Sequence, residues 1–151
     1  DAVLSDKIVS MLRMRNSIGT SKVTAWDDEG EYLIFYKDQT GIVACAIIKK
    51  KPLLYSLLRI SSGIWPTNNE EVSTKGELPA DLMFSSYNEG RAWVFWGIIK
   101  DSSVAKVKLN GKKATIVEVK ELRICYATGK ESTPVTDLDY RFFDEQGQPI
   151  M

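Results

Sequence analysis

The chain holds no histidine, so carboxylates and two cysteines come first among its side chains for covalent or proton-transfer chemistry. That removes the commonest general base and the commonest transition-metal ligand. A serine or cysteine nucleophile paired with an imidazole is therefore excluded within this chain. Acid-only chemistry needs no imidazole, and a glycosidase performs it with two carboxylates flanking one bond. Asp137 and Asp139 stand two apart, which puts them on one face of an extended segment. Asp27, Asp28 and Glu29 cluster just before Gly30. Neither group has the spacing of a calcium loop, and both read as solvent-facing acids at a strand end and a turn. Phosphate-cradling glycine loops of the G-x-G-x-x-G or G-x-x-x-x-G-K-S/T kind do not occur. Cys45 and Cys125 sit inside strand-like runs. They are too few for a disulfide framework and read as small apolar side chains, with a single bridge between them as the alternative. No catalytic residue, metal or cofactor is expected.

Two aromatic residues are candidates for binding. Trp65 opens a turn-rich stretch, and Trp96 belongs to the densest aromatic run of the chain. Each has a structural alternative: Trp65 as a plug at a lobe junction, Trp96 with Trp93 and Phe95 as filling for a core. Charge narrows the partners. Lysine plus arginine and aspartate plus glutamate both number 20, so the net charge is zero, without the basic excess of a nucleic-acid binder. Lys49, Lys50 and Lys51, and again Lys106, Lys108, Lys112 and Lys113, concentrate positive charge locally. They read as solvated strand edges and turns, where lysine discourages sheet-to-sheet pairing.

The elements that must position these residues are strands. Residues 92–99 form an apolar run rich in aromatic and β-branched side chains, as expected of a strand buried on both faces. Residues 104–109 alternate, Asn110-Gly111 interrupts, and residues 114–119 resume. An Asn-Gly pair between alternating runs predicts a hairpin, because both residues tolerate φ > 0. Upstream, Leu4, Ile8, Met11 and Leu12 recur at helical spacing, and Gly19 supplies a stop. Residues 22–26, 31–37, 42–48 and 53–60 then read as four strands separated by turns. Residues 64–80 hold Pro66, Asn68, Asn69, Gly76 and Pro79 and read as a connector. Beyond it lie strands at 82–87 and 122–127, a last long strand at 135–143, a turn at 144–147 and a terminal stub at Pro149-Ile150. The expected fold is α+β and mainly β: an N-terminal helix packs on an antiparallel meander, followed by a small Ig-like β-sandwich. Its parts are 1–63, a connector 64–80 and a sandwich lobe 81–151, with one continuous domain as the alternative.

No apolar stretch approaches the ~18 residues of a membrane span. The chain begins at Asp1 rather than Met, as expected where an upstream segment has been removed. Residues 93–111, with Trp96-Gly97 and Val107-Lys108-Leu109-Asn110-Gly111, and residues 139–150, with Asp144 and Gly147, resemble poorly characterised exported domains of Gram-positive bacteria. Those domains show an aromatic-Gly strand, a V-x-V-N-G strand and a closing Y-D-x-x-G-x-x-I strand, with Phe143 here in place of the tyrosine. The resemblance implies a β-rich domain, often lipoprotein-like or membrane-tethered, placed on the cell surface or secreted. The expected function is a non-enzymatic extracytoplasmic binding module, its partner a protein or a cell-envelope component. The alternatives are an acid-only carbohydrate-active hydrolase and an intracellular scaffold or sensor domain.

Overall fold

The computed structural model describes residues 23–25, 31–37, 41–51, 54–64, 78–119, 122–133 and 135–150. They are mainly β, in three antiparallel sheets, and the chain divides into two compact units, Asp1–Trp65 and Pro66–Met151. The helix expected near the N-terminus and most of the 64–80 connector lie outside the described residues. Among the described residues the one helical segment is a three-residue 3-10 turn, Val135–Asp137.

The first unit holds β1 (Val23–Ala25), β2 (Glu31–Lys37), β3 (Val43–Lys51) and β4 (Leu54–Ile64), hydrogen-bonded in the order β1-β2-β3-β4. This is the expected meander. Residues 33–36 of β2 and 43–48 of β3 are buried whichever face they point to, consistent with their unbroken apolar runs. β4 pairs less regularly. Ile47 faces Arg59 while Ile48 faces Leu57, so Leu58 is the extra residue of a bulge.

The second unit holds β5 (Ala80–Tyr87), β6 (Ala92–Ile99), β7 (Lys106–Leu109), β8 (Lys112–Lys113), β9 (Thr115–Val119), β10 (Leu122–Gly129) and β11 (Tyr140–Phe143). One sheet runs β5-β6-β10-β9 and the other β11-β7-β8. The two sheets share one core. Trp93, Phe95 and Ile99 of β6 and Cys125 and Ala127 of β10 meet Val107 and Leu109 of β7 and Phe142 of β11. The opposite face of β6, with Val94, Trp96 and Ile98, is buried as well, so all eight residues of this strand are interior.

Two glycine positions show why these strands close as they do. At Asn110-Gly111 both residues have positive φ, 53° and 75°, the type I′ geometry that matches the twist of β7 and β8. Gly97 lies between β5 and β10, where a Cβ would run into the main-chain oxygen of Asp81 and the side chain of Leu82.

The last strand is shorter than the alternation predicts. It begins at Tyr140, and Val135–Asp137 turns instead of extending. Thr136, Asp137 and Asp139 favour local turns. The backbone of Asp139 is also taken by the hairpin tip: Asn110 N–H donates to the Asp139 carbonyl at 2.7 Å, and Asp139 N–H donates to Asn110 Oδ1 at 3.0 Å. The ladder to β7 therefore starts at Tyr140, opposite Leu109.

The two glycines separate two kinds of cost. Gly111→Ala meets no neighbour and should lose about 1 kcal/mol from backbone strain alone. Gly97→Ala, which forces β5 away from β6, should lose about 2–3 kcal/mol. Urea unfolding of both variants checks the order.

Candidate functional site

β7 reads Lys106-Val107-Lys108-Leu109 and is exposed-buried-exposed-buried, so its lysines point away from the core. The register carries that face across the sheet. Lys108 lies opposite Lys113 on β8 and opposite Arg141 on β11, while Lys106 lies opposite Phe143. Directly paired residues share a face. Lys113, Lys108 and Arg141 therefore stand abreast on three neighbouring strands, with Lys106 and Phe143 in the next row. By strand geometry the cations are spaced about 5 Å across strands and about 7 Å along β7. All four are exposed.

Little negative charge answers them. Arg141 Nε lies 3.7 Å from Asp139 Oδ2. Among the described residues Lys106, Lys108 and Lys113 have no carboxylate partner. Lys108 Nζ sits 6.0 Å from the centre of the half-buried Phe143 ring. Like charges directly opposite one another on a sheet cost about 0.2–1 kcal/mol per pair.

The neighbouring lysine has a different task. Lys112 pairs with Leu109, so it points to the core side of the hairpin. Its Nζ lies 5.1 Å from the Trp93 ring centre, donates to the Thr128 carbonyl at 3.0 Å and pairs with Glu131 at 3.4 Å. Trp93 is itself 1% exposed, stacked on Phe84, and pressed against Gly129, where any Cβ would collide with the indole.

The chain is led into β7 by a braced loop. Asp101 Oδ1 accepts the Ser103 hydroxyl at 2.7 Å and the Ser103 N–H at 2.9 Å. These bonds hold its carboxyl below the usual carboxylate range, the side-chain bond most of all. From β10, Arg123 donates to the carbonyls of Val104 at 2.8 Å and Asp101 at 3.2 Å. At the other end of the hairpin the chain leaves β8 at Ala114, whose N–H bonds the Val107 carbonyl at 2.9 Å, and enters the second sheet as β9. An open depression of about 440 Å³ lies at this crossover, lined by Ala105, Lys106, Lys113, Ala114, Thr115 and Ile116.

The residues singled out from sequence are placed as follows. Trp65 and the acids Asp27, Asp28 and Glu29 lie outside the described residues. Trp96 is 0% exposed, so its indole presents no surface to a ligand. Asp137 is exposed on the 3-10 turn, and Asp139 is exposed beside Arg141, so the strand that was to align them is not formed. Cys45 and Cys125 are buried and unpaired. Burial pushes both thiols up, that of Cys125 to about 12. Among the described residues no three histidine, cysteine, aspartate or glutamate side chains gather at a metal-binding distance, and no helix is long and apolar enough to cross a membrane. The lysines of β7 and β8 were legible as a local concentration of charge. Arg141, 28 residues beyond Lys113, joins them only through strand pairing.

Comparison of the chain with protein-family models, with curated proteins and with solved structures found no match.

Relieving the charge row should stabilise the fold. Lys108→Thr, which keeps a good strand former, should gain about 0.5 kcal/mol in low salt and less as salt is raised, read by urea unfolding. The thiols supply a second check. At about pH 8 neither cysteine should react with a thiol reagent in the native protein, and both should react once denaturant is added, because only the thiolate attacks.

Proposed function

We propose that the chain is a non-enzymatic binding module working outside the cytoplasm, with the exposed face of the β11-β7-β8 sheet as its contact surface. The observation that carries this is the row Lys113, Lys108, Arg141, set abreast in solvent with no acid among the described residues opposite the two lysines. Packing does not require such a row, and folding is weakened by it. A negatively charged partner, a protein or a component of the cell envelope, converts that repulsion into attraction.

The architecture suits the role. In an immunoglobulin-like sandwich the first and second strands share a sheet with the fifth and fourth, and the third pairs with the sixth, which pairs with the seventh. Taking β8 as the start of the strand that continues as β9, the sheet β5-β6-β10-β9 follows the first pattern. β7 and β11 take the third and sixth places, and Pro149, bridged to Phe143, takes the seventh. Sandwiches of this kind present contact surfaces on a rigid frame. The extracytoplasmic location rests on the resemblance of residues 93–111 and 139–150 to exported domains.

The test is retention on an immobilised polyanion such as heparin. At about 0.05 M salt the protein should be retained and should elute as salt rises through a few tenths molar. The double variant K108E/K113E should pass through unretained while keeping its circular dichroism. Equal retention of the two proteins would show that this face is not the contact surface.

A further inference from the structure

We propose that the partner of this face is an anionic lipid bilayer, with one phosphate headgroup seated in the depression between Lys106 and Lys113. This rests on the reading of the β11-β7-β8 face as a contact surface and names what it contacts.

Four features of the face point the same way. First, it is the broad side of a sheet, not an edge. β7 is paired along Lys106–Leu109 with β11 and, at Lys108 and Leu109, with β8, so beside these two central lysine-row residues an extended peptide finds no main-chain edge to add to. Whatever binds here is held by side chains. Second, the free cations are lysines, which act as mobile point charges and impose no planar geometry. Arg141, the one guanidinium on the face, is engaged by Asp139. Laterally mobile phosphates suit such groups better than carboxylates that need a fork. Third, the charge is laid out in two dimensions, about 5 Å across strands by about 7 Å along β7. A single polymer strand presents its anions along one line and meets one row at a time. A bilayer surface presents them in a plane.

Fourth, the depression is amphipathic. Its lining combines the apolar Ala105, Ala114 and Ile116 with Lys106, Lys113 and the hydroxyl-bearing Thr115. At about 440 Å³ it has room for a phosphate with its glycerol, the phosphate between the two ammonium groups and the apolar end on the alanines. Phe143 lies on the same face, half-buried next to Lys108, where an aromatic ring can rest at headgroup level.

The test is sedimentation of the full chain with vesicles. It should pellet with vesicles of phosphatidylglycerol mixed with phosphatidylcholine, remain in solution with phosphatidylcholine alone, and be released by about 0.5 M salt. Each juxtamembrane lysine contributes about fivefold to such binding, so K106A/K108A/K113A should bind about a hundredfold more weakly. R91E, a charge change on the exposed β5-β6 turn, should bind as the parent does. Ala105 is exposed, so A105Q should fold normally. By filling the depression with a neutral polar side chain, which adds no apolar anchor, it should weaken vesicle binding while leaving heparin retention unchanged. Retention on heparin without sedimentation on the anionic vesicles would overturn the lipid assignment and leave the binding reading standing. Vesicle binding undiminished in either the triple lysine variant or A105Q would overturn it too. A protein that binds neither heparin nor vesicles would remove both.

Discussion

Trp93 is the side chain around which the second unit is arranged. It lies on the core face of β6, stacked on Phe84 at 6.0 Å between centroids, with Lys112 over its ring at 5.1 Å and Gly129 giving it clearance from β10. Burying an indole removes about 150–250 Å² from water, worth about 4–6 kcal/mol. Its Nε1 is buried without a hydrogen-bond partner among the described residues, a cost of about 1–3 kcal/mol at most. Burial wins, and the ring holds β5, β6, β8 and β10 to one geometry. Because Lys112 is drawn inward to this ring, the next residue of the two-residue strand β8, Lys113, is turned outward. The inward clamp and the outward charge are two sides of one hairpin.

That coupling holds the charged face in place although it gains nothing from its own charges. β7 is held from within by Val107 and Leu109, both 0% exposed. It is approached through the Asp101–Ser103 and Arg123 braces, and its tip is tied to Asp139 by one main-chain bond and one bond to the Asn110 side chain. Burying each aliphatic side chain contributes about 1.5–3 kcal/mol, against about 0.2–1 kcal/mol for each like-charge pair on the surface. The core therefore tolerates the row without difficulty. A contact surface built this way is rigid before its partner arrives, and less ordering is required on binding.

The acids tell the opposite story. Asp137 and Asp139 look like a pair only if the strand is continuous through them. Side-chain and main-chain bonding to Asn110 takes Asp139 out of the ladder, and Asp137 lies on a turn. Their interest from sequence depended on a period of two that the segment does not keep.

Sequence alone determined the strands whose pattern is local. The unbroken apolar run of residues 92–99, the alternation through Val107 and Leu109, the Asn110-Gly111 turn and the Asp144–Gly147 turn all rest on side-chain period and permitted φ, which a few consecutive residues settle. The same runs carried the meander of the first unit. Tertiary structure decided everything that depends on register between distant strands. Lys113 and Arg141 are 28 positions apart, and nothing in either neighbourhood says that both will flank Lys108. Trp96 reads from sequence as a candidate to meet a ligand, yet every residue of β6 is buried and its own exposure is zero. Local pattern selects the element. Which surfaces remain outside is set by what packs against it, and that is a property of the whole chain.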